Sequence, residues 1–160
     1  MRFFQSFILL FLAIFLSACS NVATGPLYST DHALKPGQTG IYVYAKDQSY
    51  RYIVGGPKVY LDGQLLGMLP NNGYFYSQLS PGVHTLAVKY SKSFLTVQTV
   101  DQTFELNARQ IKYFRVQFEE SGGMTMLSGP TFIADYHWTI QAVPPQFGSK
   151  EIINLPLSTN

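Results

Sequence analysis

Val59-Tyr60-Leu61-Asp62-Gly63-Gln64-Leu65-Leu66-Gly67-Met68-Leu69 is the stretch that decides the fold. Two runs of strand-forming residues flank Asp-Gly, a pair that tolerates the positive φ angles of a tight two-residue turn, so the stretch predicts a β-hairpin. The same grammar repeats outward. Pro70 to Gly73 is a second turn leading into Tyr74-Phe75-Tyr76. Leu79-Ser80-Pro81-Gly82 is a third, in which proline presets φ and glycine takes the next turn position. The strand from Val83 to Tyr90 then places His84, Leu86, Val88 and Tyr90 on one face.

Upstream, Ile41-Tyr42-Val43-Tyr44-Ala45 alternates, with Ile41, Val43 and Ala45 toward a core and the tyrosines flanking it. Asp47 to Arg51 reads as a loop, and Tyr52 to Val54 as a short strand stopped by Gly55-Gly56-Pro57. Downstream, Phe94 to Val100 and Gln102 to Leu106 are strand material, with Phe104 and Leu106 sharing a face. Ile111 to Glu119 points Phe114, Val116 and Phe118 one way and Tyr113, Arg115 and Gln117 the other. Gly122-Gly123 predicts a hairpin turn onto Met124 to Leu127. A last strand sets Phe132, Ala134, Tyr136, Trp138 and Ile140 opposite Ile133, Asp135, His137, Thr139 and Gln141. No apolar pattern of helical period persists for three turns. Seven to nine short strands at regular spacing predict an all-β protein, an antiparallel β-sandwich in a single domain over residues 40–143. Residues 144–160 read as a C-terminal tail with one helical turn around Ser149 to Ile153.

Composition agrees: 11 Tyr, 12 Phe, 13 Gly and 9 Pro describe a turn-rich β protein. Charged residues are 12% of the chain, and 11 Lys+Arg stand against 9 Asp+Glu. Scattered cations near charge balance argue against a nucleic-acid partner, which needs a basic patch.

The N-terminus carries an address. After Met1-Arg2, residues Phe3 to Leu16 are apolar apart from Gln5 and Ser6, followed by Leu16-Ser17-Ala18-Cys19. A single positive charge, a short apolar run and small residues before a cleavage point make a signal peptide over 1–18. Cys19 is the only cysteine, whereas exported proteins keep cysteines in pairs for disulfides, so this thiol needs another occupation. Residues 19–39, with Gly25, Pro26, Pro36 and Gly37, read as a flexible tether.

Leu16-Ser17-Ala18-Cys19 resembles the lipobox of bacterial lipoproteins. That resemblance implies diacylglyceryl attachment to the Cys19 thiol, cleavage before it and acylation of the new N-terminus. With Ser20 rather than Asp following, it implies outer-membrane anchoring in a two-membrane cell, the domain facing the periplasm. Leu61-Asp62-Gly63 with Gly67, followed by Pro81-Gly82-Val83-His84, resembles the Val-Asp-Gly-x-x-x-Gly and Pro-Gly-x-His patterns of PEGA-like domains, with Pro81 standing where PEGA proper has Glu. Together with the Ile-Tyr-Val-Tyr strand, it is also similar to a family of small bacterial lipoproteins of unknown function, over roughly residues 40 to 120. The resemblance implies a sandwich of the prealbumin or carboxypeptidase-regulatory type, with Asp62, Gly63, Pro81, Gly82 and His84 as structural turn residues. It implies no activity.

Few side chains suggest chemistry. Asp135 and His137 share a strand face, but two ligands are too few for a metal, and no Gly-x-Ser-x-Gly elbow supplies a nucleophile for a hydrolase triad. Glu119 and Glu120 are adjacent, so on a strand they point to opposite faces and cannot pair as acid and base. Gly55-Gly56-Pro57 lacks the lysine, hydroxyl and helix start of a phosphate loop. His32 lies in the tether. Neither a metal, a cofactor nor a catalytic residue is expected. Tyrosine is concentrated in the first half, at Tyr42, Tyr44, Tyr50, Tyr52, Tyr60, Tyr74 and Tyr76. These are half-buried sheet residues, or an exposed binding face made by Tyr42, Tyr44, Tyr60, Tyr74 and Tyr76. The expectation is a lipid-anchored, non-enzymatic interaction module of the cell envelope with a protein partner there. The alternatives are a small-ligand or glycan-binding lipoprotein using the tyrosine face and an envelope hydrolase.

Overall fold

Strand β1 (Gly40–Ala45) is the centre of the molecule, buried at every position. Its alternation gives it two apolar faces, so both must be covered. In the computed structural model, residues 23, 25–28, 38–46, 56–93, 96–126 and 132–158 are described, with strand backbone alone at 91–93, 96, 97, 120–126 and 132–136. After β1 come β2 (Lys58–Leu61), β3 (Gln64–Met68), β4 (Gly73–Gln78), β5 (Gly82–Ser93), β6 (Thr96–Leu106), β7 (Ile111–Met126), β8 (Phe132–Val143) and a helix, α1 (Pro145–Glu151). They form two four-stranded sheets, ordered β4-β1-β7-β8 and β3-β2-β5-β6. The expected single-domain all-β sandwich is therefore what the chain makes. The expected strand Tyr52 to Val54 lies outside the described residues.

Three features differ from expectation. First, β1 and β7 pair in parallel, Tyr42 opposite Tyr113 and Tyr44 opposite Arg115. The chain crosses to the other sheet for β5 and β6 before returning beside β1, and a return by that route is not bound to the reversal that a hairpin imposes. Second, strands β5 to β8 are long, 11 to 16 residues. Third, Gly122-Gly123 does not turn the chain. β7 continues to Met126, and its register against β8 shifts between Glu120 and Met124. The glycines lie in a bulge, which needs the same backbone freedom as a turn.

The main core lies between the sheets. Ile41, Val43 and Ala45 meet Val59, Leu61, Leu86, Val88, Tyr90, Phe104 and Leu106 from the facing sheet, with Phe114, Val116 and Trp138 beside them. This is the face assignment that the alternation predicts. Phe104 and Phe114 approach to 4.7 Å between ring centroids, and Phe118 and Trp138 to 5.1 Å.

A second cluster covers the outer face of the first sheet: Tyr42, Tyr44, Tyr74, Tyr113 and Val143, with Ile152 and Leu155 from the C-terminal segment. That segment is a cover, not a loose tail. Pro145 opens α1, where its missing N–H is no loss and its fixed φ suits a first turn. Gly148 then rests directly on Tyr113, because any side chain there would meet the tyrosine ring. Beyond α1, Tyr74 donates its N–H to Pro156 and accepts from Ser158, at 3.1 and 2.7 Å, so the C-terminal residues extend the edge of β4. Residues 25–28, expected within the tether, lie along that extension: Gly25 donates to the Leu157 carbonyl, Leu157 to that of Pro26 and Tyr28 to that of Leu155, at 2.8 to 3.0 Å. Unpaired peptide groups on two adjoining segments satisfy one another, which composition alone does not reveal.

Candidate functional site

The first polar site begins at the β2–β3 turn. Asp62 and Gly63 adopt φ of 49° and 80°, the two left-handed positions of the turn expected there. This turn directs the Asp62 carboxylate back at β5. One oxygen accepts the Thr85 N–H at 2.8 Å, and the other meets His84 Nδ1 at 2.7 Å. His84 Nε2 lies 2.9 Å from the Ser80 carbonyl, and its ring is 5.8 Å from that of Phe104. Gly82, at φ 146°, makes the bend that lets Pro81 pass and returns His84 toward the turn. Asp62, Gly63, Pro81, Gly82 and His84 are thus assembled at one end of the second sheet.

Both ring nitrogens of His84 face acceptors, an arrangement that only the doubly protonated ring satisfies. The hydrogen bond to Asp62, aided by that to Ser80, raises the His84 pKa above its ordinary 6.5. Burial works to raise the Asp62 pKa, but the hydrogen bonds from His84 and Thr85 outweigh it and the net shift is downward. Chemically this is a clasp. His84 has no nitrogen left for a base, and Ser80 contributes its carbonyl rather than its hydroxyl.

The second site lies under α1. Tyr44 donates its hydroxyl to Glu151 at 2.6 Å. Arg115 Nη1 donates to both Glu151 oxygens at 3.1 and 3.2 Å, and Nη2 to the Gln141 side-chain oxygen at 2.6 Å. Burial, and then the hydrogen bond to Glu151, push the Tyr44 pKa up, so it remains a neutral donor. Burial likewise raises Tyr113, with help from Tyr28 and Tyr42. Tyr42 stacks on Tyr113 at 5.1 Å and 12°, while Tyr28 stands edge-on to Tyr42 and Tyr74 at 5.7 and 5.8 Å.

The tyrosines expected as one exposed binding face are therefore divided. Tyr42, Tyr44 and Tyr74 are at most 1% exposed, covered by residues 25–28, α1 and the C-terminal segment. Tyr60 is on the other sheet, where the Lys89 ammonium lies 4.5 Å from its ring centre. Tyr76 alone of the five is exposed. The correction has a physical cause: a sheet face carrying several large rings is itself apolar enough to attract the chain's own termini.

Glu151, Arg115, Tyr28 and Tyr113 were not singled out in the sequence as site residues. The available signal was β1 itself, apolar on both faces, together with Ile152, Leu155 and Leu157 in a segment otherwise read as a tail. Of the remaining candidates, Glu119 accepts from the Thr139 hydroxyl at 3.3 Å and stands opposite His137. The side chains of Glu120 and Asp135 lie outside the described residues, as do Cys19, His32, Tyr50, Tyr52 and Gly55. Gly56 packs against the Leu69 carbonyl, with no room for a side chain. Among the described residues no group of three His, Cys, Asp or Glu could hold a metal, and no helix is long and apolar enough to cross a membrane.

Two four-stranded sheets, a hairpin clasped by an Asp-His pair and an outer face covered by the terminal segments define an all-β sandwich protein. The family described as a protein of unknown function (DUF2846) matches residues 35–131, more than half of the chain, and the chain belongs to that family. The match takes in the Asp62–His84 clasp and Arg115 but not Tyr28 or Glu151. Comparison with curated proteins and with solved structures finds no match.

Proposed function

We propose that this protein is a lipid-anchored module of the bacterial cell envelope, held at Cys19 and acting by association rather than catalysis. The observation that carries the reading is the Leu16-Ser17-Ala18-Cys19 site behind an apolar run of signal-peptide length, with Cys19 the only cysteine. Several acyl chains on one residue, at about 0.8 kcal/mol per buried methylene, hold a protein on a bilayer in practice permanently. The hydrogen-bonded polar groups support the non-catalytic part. His84 and Asp62 are committed to a turn, and Glu151 and Arg115 to holding α1, so the strongest hydrogen bonds serve the scaffold. Outer-membrane attachment with the domain in the periplasm belongs to the same proposal.

Radiolabelled palmitate fed to expressing cells should enter the wild-type chain and not Cys19→Ser. Labelling of the variant, or absence of label from wild type, overturns the anchor. Cross-linking in intact membranes followed by affinity capture should recover one reproducible envelope protein; capture of none across several cross-linker lengths overturns the interaction role.

A further inference from the structure

The cover over the first sheet also has an outward side. Of the seven large hydrophobic side chains that the described residues leave exposed, three belong to the cover: Leu27, Phe147 and Ile153, at 57%, 55% and 52%. In α1, Gly148 is buried on Tyr113, and Ile152, one turn on, is buried among the tyrosines, so Phe147 and Lys150 are left toward solvent. Ile153 follows directly after, and Leu27 bridges to Pro156 a few residues beyond it.

Exposed apolar residues are ordinary one at a time, so the charge around them decides what they can meet. The cover contains one cation, Lys150, which is exposed, and one acid, Glu151, whose oxygens are engaged by Tyr44 and Arg115. The other broad face of the sandwich is unlike it. There Asp101 and Glu105 are exposed, alternating with the buried Phe104 and Leu106, and exposed Asp62 stands at the turn. Leu65, Met68 and Val83 are exposed on that second sheet as well, but in the company of those carboxylates.

The anchor is on the side of the cover. Ala23 is buried, and a methyl placed on Gly73 would meet the Ala23 methyl at 3.1 Å and Ser158 Oγ at 2.9 Å, so Ala23 lies where the C-terminal segment borders β4. Cys19 is four residues before Ala23, and four residues of fully extended chain span at most about 14 Å. The bilayer that holds Cys19 is therefore within that distance of the edge of the cover. The outer side of the second sheet is farther away, beyond a core that holds the two sheets about 10 Å apart.

We propose that the outward side of the cover, with Leu27, Phe147 and Ile153, rests in the headgroup zone of the anionic bilayer that holds Cys19. This rests on the anchoring reading above. The three side chains enter the boundary between headgroups and acyl chains, as the apolar side of an interfacial helix does. The Lys150 ammonium extends to the lipid phosphates. Because the carboxylate of Glu151 is engaged beneath α1, the cover escapes the repulsion that Asp101 and Glu105 would meet on the other face. The cover thus serves two surfaces, sealing the tyrosines on its inward side and meeting lipid on its outward side.

Acylation at Cys19 leaves an introduced cysteine as the one free thiol, so a polarity-sensitive dye can be placed at Phe147→Cys, at Ile153→Cys, and at Leu65→Cys on β3 as the comparison. Leu65 is exposed to the same degree, 51%. The acylated protein is reconstituted into vesicles of phosphatidylethanolamine and phosphatidylglycerol, with and without a lipid-borne quencher. The dye replacing Phe147 or Ile153 should brighten several-fold on vesicles and be quenched, and that replacing Leu65 should do neither. Two cover positions guard against one variant misfolding. Dye at both cover positions behaving as in water, on a chain whose mass shows acylated Cys19, overturns this inference and leaves the anchor standing. Equal brightening at Leu65 overturns it too, because the domain then has no preferred face. A mature chain without acyl mass overturns both the inference and the anchor. Brightening in native membranes but not in pure lipid vesicles also overturns the inference, because the occupant is then a protein.

Discussion

The hydroxyl of Tyr44 and the carboxylate of Glu151, 107 residues apart in the sequence, meet at 2.6 Å beneath α1. Arg115 completes the contact from β7. The sheet face bearing the tyrosines is thereby joined to the C-terminal segment by a charged hydrogen-bond network and not by apolar contact alone.

Removing the carboxylate should loosen that cover. Glu151→Gln retains the shape but not the charge and should lower stability by about 1.5–3 kcal/mol, the range for hydrogen bonds to charged groups. Tyr44→Phe should lose about 1 kcal/mol, and the double variant should lose less than the sum because the two groups share one bond. Arg115 and Glu151 are about a quarter exposed, which places their ion pair toward the lower end. Urea unfolding of the four proteins gives these differences; full additivity would show that the two side chains act independently.

Gly148→Ala should destabilise even though alanine favours a helix. The added methyl enters the Tyr113 ring, which is itself held by stacking on Tyr42, and overpacking of this kind costs about 1–3 kcal/mol. Tyr113→Leu in the same chain should relieve part of that loss. A Gly148→Ala protein as stable as wild type by thermal unfolding would mean that α1 does not rest on Tyr113.

The clasp predicts a pH profile. His84 has a folded pKa above its ordinary 6.5, so its contribution is complete below 6.5 and is lost as pH rises through the folded value. Asp62 is shifted below its ordinary 3.8, so its contribution is present above 3.8 and lost as pH falls through the folded value. The pair is therefore strongest from about pH 4 to 6.5 and weakens toward alkaline pH. Asp62 is 45% exposed, which limits the effect to about 0.5–1 kcal/mol. His84→Gln should remove the decline in stability between neutral and mildly alkaline pH, measured by urea unfolding at a series of pH values. An identical slope in wild type and variant would assign that decline to other groups.

Much of this architecture is legible in local residues. Asp62-Gly63, Pro81-Gly82 and the alternation of β1, β5 and β7 carry their own backbone and face information, and those faces lie where period two puts them. The turns that carry Asp62 and His84 are legible because each is written in adjacent residues, whereas the pairing of the two side chains across 22 positions is not. The parallel β1–β7 pair was not, since pairing order depends on which sheet the intervening strands join. The bulge at Gly122-Gly123 was not, because glycine permits a turn and a bulge equally. The covered tyrosine face was hidden for a further reason: Tyr28, Arg115 and Glu151 stand far apart in the chain, and each is unremarkable beside its neighbours.

The last prediction concerns Tyr28, whose ring stands edge-on to both Tyr42 and Tyr74 and whose N–H donates to Leu155. The backbone bonds among Gly25, Tyr28, Leu155 and Leu157 form a ladder of only a few rungs at the edge of a sheet, and so short a ladder persists only if side chains hold it in place. Tyr28→Ala removes the ring while leaving every backbone donor. Losing a partly buried aromatic with two edge-on contacts should cost about 1–3 kcal/mol locally. Amide exchange at Gly25, Tyr28, Leu157 and Ser158 should then quicken by at least ~10-fold, the factor that about 1.4 kcal/mol of easier local opening produces. Amides in the β5–β6 pairing should keep their rates, because that ladder is in the other sheet. Uniform acceleration across both sheets would mean that residues 25–28 are part of the global fold, and unchanged rates everywhere would mean that the backbone ladder stands without the ring.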